Sequence, residues 1–342
     1  MVTQGIKMQT LLKNTWLASV GLAVLLAASI FTLNPIISGI EFAPDQGFNW
    51  YFWKRTDPDT WSRASVWGSY LLHQVFIWAV IAWAIKNKGT LKNRNIMHPI
   101  NWIAMAGTGF FVLLHYAQTA LFYDGLGQDL PVVTSQASVV LVLVIVLLME
   151  APRRGVFFGA GKSWFANVRP ILIRYHGYYF AWAVTFTYWY HPMETSYGHV
   201  VGFLYTFLLF LQASFIFTRV HTNRIWTFVL EASVLVHGVI VAIVAGQEFW
   251  AMFAFGFLFL VVVTQMHGLG LNRVWKWVIG LGSIVVTLLV YSERGLSQLN
   301  EVLRIPVIEY VLAVLIGISI LAVNRLFRMK RQKGRRLSTL DS

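Results

Sequence analysis

The chain has 342 residues, 57% of them hydrophobic and 12% charged, a net charge of +13 and no cysteine. That much apolar surface cannot be hidden in a water-soluble core, so the chain belongs in lipid, and structural disulfides, thiolate metal sites, iron–sulfur clusters and a cysteine nucleophile are excluded. The basic residues lie in short loops and a tail, a distribution that suits anionic headgroups and not nucleic acid.

The hydropathy predicts an all-α polytopic integral membrane bundle of about ten transmembrane helices, with spans at 15–38, 66–86, 101–122, 134–150, 171–191, 199–219, 226–246, 249–268, 274–291 and 306–326. Each is close to the ~20 residues a helix needs to cross the hydrocarbon. The runs are continuously apolar, whereas barrel strands would alternate. The first, from Trp16 to Ile40, is too long for a signal peptide and lacks a small-residue cleavage site, so it reads as a retained anchor. Residues 1–328 read as one transmembrane domain and 329–342 as a basic, disordered cytoplasmic tail.

Charge orients the spans. With the N-terminus inside, only Lys54, Arg55, Arg63, Arg294 and Arg304 of the 27 basic residues fall outside, together with 11 of the 14 acids. Both termini are therefore expected in the cytoplasm, in a membrane such as the bacterial inner membrane. The outer connection Glu41 to Ala64 carries Trp50, Tyr51, Phe52, Trp53 and Trp61, a composition suited to an interfacial segment. The inner loop Ala151 to Pro170 contains Gly159-Ala-Gly-Lys-Ser163. A phosphate-binding loop would need its first glycine at 156 instead of Gly155, and a strand before it.

Ionisable groups in hydrocarbon cost at least ~2.5 kcal/mol and call for a partner or a purpose. His73, His115 and His237 fall at similar depth in the outer half of the second, third and seventh spans. Gln74 and Gln118 lie beside the first two. Above them, Asp124, Asp129, Gln136, His191, Glu194, His199, Gln247 and Glu248 could complete a polar chamber opening outward. A second layer gathers at the inner ends: Arg174 and His176, then Arg219, His221 and Arg224, then His267. Arginine forks and imidazoles there suit a phosphate or another anionic group. Glu231 is the one acid deep in the hydrocarbon, with Gln212 at matching depth as its expected hydrogen-bond partner. His98, beside Pro99, reads as a solvated loop residue.

A single buried histidine is most simply a cross-link between helices. Three at one level point further, to a site for haem or a non-haem metal. The expected function is a membrane-embedded redox enzyme, with haem b or a non-haem iron or copper held by His73, His115 and His237. Gln74 and Gln118 would orient these ligands, Glu194, His199 and Glu231 would move protons, and the substrate would be lipid-soluble, such as a quinone or isoprenoid. Two alternatives stay open: a metal-free acyl- or glycosyl-type transferase with a histidine general base, and a proton-coupled transporter using Glu231 and His237. No HxxxH, HxxHH, HExxH or CxxCH pattern occurs. Size and span number are similar to those of some membrane acyltransferases, without their arginine and histidine signature in the first span.

Overall fold

The computed structural model describes residues 2–47, 49–162, 164–244 and 248–338, the side chains of 2–8 and 327–338 excepted. Ser163, Gln247 and residues 339–342 lie outside the described residues. The protein is 77% helix and has no strand among the described residues. The helices are α1 (Val2–Ser29), α2 (Asn34–Ile37), α3 (Thr60–Lys86), α4 (Pro99–Phe122), α5 (Val132–Arg154), α6 (Arg169–Tyr190), α7 (Tyr197–Ser214), α8 (Arg224–Val244), α9 (Trp250–Val263), α10 (Arg273–Arg294) and α11 (Glu301–Ser338).

Local chemistry explains many of their ends. α1 tightens into a 3-10 turn at Ile30–Leu33, and α2 then starts at Asn34 with Pro35 second, which has no N–H to donate and suits the first turn of a helix. The Asp59 side chain caps α3 by accepting from Ser62 N at 2.9 Å. α4 opens on a reciprocal cap between His98 and Asn101, with Pro99 as its first residue, and ends where Tyr123 turns left-handed at φ 42. His98 is buried, and its Nε2 meets Asn93 O at 2.9 Å. It is a capping residue of α4, not the solvated loop residue expected from its place beside Pro99.

Among the described residues nine helices are long and apolar enough to cross a membrane. The expected tenth span forms as α6 but is not one of them. Its sequence explains the difference: Arg174, His176, Thr185, Thr187 and a series of tyrosines dilute its hydropathy while their aromatic bodies still bury. Large apolar side chains such as Leu25, Val75, Leu113, Leu121 and Leu289 remain exposed, a surface compatible with a surrounding bilayer. The backbone of α11 stays helical to Ser338, through most of the stretch read from composition as a disordered tail.

The chain divides into two compact units. The first joins residues 1–140 and 177–250. Its core is aromatic, built from Tyr51, Tyr123, Phe186, Tyr188, Trp189, Tyr190, Phe203 and Phe207 on α4, α6, α7 and the connection before α3. The second comprises 141–176 and 251–342. There α9 lies close against α11, where a Cβ on Gly256 would come within 3.2 Å of Ile305 Cβ, and Phe255 packs edge-on against Tyr291 of α10.

Candidate functional site

The polar residues of the first unit form two groups. In the deeper one, His73 on α3 and His115 on α4 are both fully buried. Trp189 of α6 lies between them: its Nε1 donates to His73 Nδ1 at 3.2 Å while its ring stacks on His115 at 4.3 Å. Phe111 stacks on the other imidazole at 4.0 Å, and Tyr188 meets both rings edge-on. His73 Nε2 has no hydrogen-bond partner, while His115 has the backbone of His191 within hydrogen-bonding reach. Gln118 donates to Ser65 Oγ at 3.3 Å, and neither amide atom of Gln74 has a partner, so these glutamines do not hold the histidines in the way expected of them.

The third expected ligand belongs elsewhere. His237 on α8 fits a notch in α7 at Gly202, where an added Cβ would stand 2.7 Å from the imidazole Cε1. It is within electrostatic reach of His191 and His199. No group of three or more His, Asp or Glu among the described residues has the geometry of a metal site. A porphyrin could not pass between His73 and His115 without displacing Trp189.

The second group is built on the α6–α7 connection, His191 to Ser196. Ser196 caps α7, and its Oγ lies 2.8 Å from His199 Nδ1 while accepting weakly from His199 N at 3.3 Å. His199 Nε2 lies 3.2 Å from His191 Nδ1, which also faces Tyr51 Oη at 3.2 Å. Burial raises the Tyr51 phenol well above its ordinary value, with Tyr190 and Glu194 adding to the effect, so it is present as a neutral O–H. The lone pair of His191 Nδ1 takes one donor: with Ser196 O–H donating to His199 Nδ1, His199 Nε2–H donates to His191 Nδ1, and the Tyr51 hydroxyl packs beside that nitrogen at 3.2 Å. Trp53 closes one side, with its ring edge-on to His199 at 4.1 Å.

A dense frame holds this connection still. Thr119 Oγ1 accepts from Met193 N at 2.9 Å, and Glu194 accepts from the Tyr123 phenol and from Thr195 N. Burial, then the Glu194 carboxylate, holds the Tyr123 phenol far above its ordinary value, so Tyr123 is the donor in that bond. Gly125 permits close approach, since a Cβ there would lie 2.5 Å from Tyr190 O. Arg63 pairs with the buried Asp124 at 2.6 Å and also with Asp129, itself held by Trp67 Nε1 at 2.7 Å. Desolvation still raises the Asp124 carboxyl above the ordinary range, against the opposing charge of Arg63.

The inner Arg/His layer divides between the units. Arg219, His221 and Arg224 belong to the first, and Arg174, His176 and His267 to the second. Their imidazoles are used locally: His221 Nδ1 meets Gln212 O at 2.7 Å, His176 Nδ1 meets Ile173 O at 2.6 Å, and His267 Nε2 meets Val262 O at 3.1 Å. The guanidinium of Arg174 lies over the ring of Tyr175. The Gln212 amide is spent on His221 O and Trp226 Nε1, at 2.8 and 2.7 Å, instead of on Glu231, which lies within electrostatic reach of Tyr205.

Sequence reading singled out His199 and Glu194 and placed His191 with them in the outer polar chamber, but missed Ser196 and gave Tyr51 only a place in the interfacial segment. The i, i+3 spacing of Ser196 and His199 fits a helix cap as well as a nucleophile and its base, so it does not single out either; Tyr51 is 140 residues from His191, and nothing local links them. No family model, curated protein or solved structure matches the chain.

Proposed function

We propose that the protein is a membrane-embedded acyl-type transferase, with Ser196 as nucleophile, His199 as general base and His191, steadied by Tyr51, as the group that orients the base. The observation that carries this reading is the chain Ser196 Oγ, His199 Nδ1, His199 Nε2, His191 Nδ1, linked at 2.8 and 3.2 Å. Both distances are within the reach required of a nucleophile, its base and the residue behind the base. Ser196 also stands at the positive end of α7, where a developing oxyanion is favoured.

In the reaction, Ser196 Oγ attacks the carbonyl carbon of an acyl donor as its proton passes to His199 Nδ1. The leaving oxygen takes that proton, and an acyl-serine remains. An acceptor hydroxyl then loses its proton to the same nitrogen and attacks the acyl carbon; the bond to Ser196 Oγ breaks and His199 Nδ1 returns the proton to that oxygen, which restores Ser196. A lipid-soluble acceptor fits a site in an apolar helical protein. The positive-inside charge pattern supports placing it at the outer face, with both termini cytoplasmic.

Intact-mass measurement after treatment with a fluorophosphonate tests the nucleophile. The wild-type chain should gain one adduct at Ser196, and Ser196→Asn, which keeps a capping side chain, should gain none. His199→Gln should slow labelling by about a hundred- to ten-thousandfold. Equal labelling of wild type and Ser196→Asn would sink the proposal.

A redox centre at His73 and His115 is the second reading, supported by the buried, unpartnered Nε2 of His73. It expects stoichiometric iron or copper in gently purified protein, lost in His115→Ala; metal-free wild-type protein would rule it out.

A further inference from the structure

We propose that the second unit binds one anionic glycerophospholipid, with an acyl chain seated in a cavity among α5, the 156–165 loop and α11, and the phosphate held by Lys162 of that loop and Arg169 at the start of α6. The site does not depend on the chemistry proposed for the first unit.

The cavity has a volume of about 290 Å³ and an apolar lining that includes Leu147, Leu148, Phe165, Tyr310, Ala313 and Val314. This is near the lower end of the range for small-ligand pockets. Left vacant, it would forfeit dispersion contacts along its whole lining, and with so few polar partners it would not hold water. An acyl chain supplies the missing contacts.

The wall is purpose-shaped. Gly155, Phe158, Gly159 and Gly161 all have positive φ, and a Cβ on Gly155 would come within 2.5 Å of Gly159 C. Thr264 Oγ1 donates to Val156 O at 2.8 Å and Phe158 N to Val263 O at 2.7 Å, so these backbone groups are turned away from the lining and paired. Trp164, at the lining yet 64% exposed, suits the boundary between chain and headgroup.

Charge specifies the head. Residues 151–170 hold Arg153, Arg154, Lys162 and Arg169 and no acid. Arg153 is committed to Glu150, but Lys162 is exposed and Arg169, also exposed, spends only its Nε, on Met149 O at 2.9 Å beside the cavity residue Leu148. An ammonium and a guanidinium fork carried on the segments next to the lining residues Trp164 and Leu148 match a phosphodiester with net negative charge. A zwitterionic head would add a cation that finds no acid in this loop.

Native mass spectrometry of the full chain, released from vesicles with equal phosphatidylglycerol and phosphatidylcholine, tests the proposal. Wild type should retain one phosphatidylglycerol in clear excess over phosphatidylcholine. Val314→Trp, which puts a large ring into the lining, should lower that retention by about tenfold or more, and Lys162→Gln with Arg169→Gln should abolish the preference. Equal retention of both lipids by wild type, or undiminished retention by folded Val314→Trp, overturns it. Should Val314→Trp not fold, the thermal midpoint of the wild-type chain in detergent decides. A rise with phosphatidylglycerol, and with neither phosphatidylcholine nor inorganic phosphate, upholds the site; any other pattern overturns it.

Discussion

Arg63 illustrates how a residue chosen only as a marker of sidedness becomes structural once its partners are known. It neutralises Asp124, whose side chain is 0% exposed. Arg63→Ala should therefore cost about 3–5 kcal/mol at neutral pH, because it leaves a buried charge without compensation. The folded-state pKa of Asp124 is already raised, so the folded protein takes up a proton there more readily than the unfolded chain does. Without the opposing charge of Arg63 the pKa of the Asp124 carboxyl rises further, so the loss in Arg63→Ala should be full above the variant's folded pKa and shrink as pH falls from there towards the wild-type one, which chemical unfolding at several pH values would measure. Gly202 is the other decisive small residue. Gly202→Ala should cost about 1–3 kcal/mol by driving a methyl into His237. Combined with His237→Ala, the loss should be less than additive; strict additivity in a double-mutant cycle would show that the two do not touch. The burial of His73 and His115 was legible because each sits inside an apolar run. The insertion of Trp189 between them was not, since it depends on how α6 packs against α3 and α4.

At the scale of the element, helix existence was read well and helix character less so. Pro99 announced the start of α4, but the cap behind it was hidden in residues that look like an ordinary polar loop. Asn101 Nδ2 donates to Ser214 O at 2.7 Å and Ile216 O at 2.8 Å, tying α4 to the end of α7. Asn101→Ala should cost about 1–3 kcal/mol for each carbonyl left unpaired, seen as a lower thermal midpoint in detergent. α6 departs from the expected set of spans because hydropathy scores the tyrosine hydroxyl and not the ring beneath it. Tyr188, Trp189 and Tyr190 are nevertheless at most 1% exposed, and they build the walls of both polar groups.

For the whole molecule, sidedness remains the most useful reading of the charge pattern, and the absence of cysteine makes it easy to test. A membrane-impermeant maleimide should label Asp57→Cys in intact cells and Lys88→Cys only after permeabilisation; the reverse would invert the topology and move the proposed site to the inner face. The sequence by itself determined the helical class, the apolar exterior and the places where polar residues enter apolar runs, because these depend on composition and on periodicity within one segment. Only the tertiary structure decided which polar residues meet. It separated His237 from His73 and His115 and drew together Tyr51, His191, Ser196 and His199. It also divided the inner Arg/His layer between two units. Depth along a helix is written in sequence spacing, but rotation about the helix and the choice of neighbour are set by packing between segments distant in the chain.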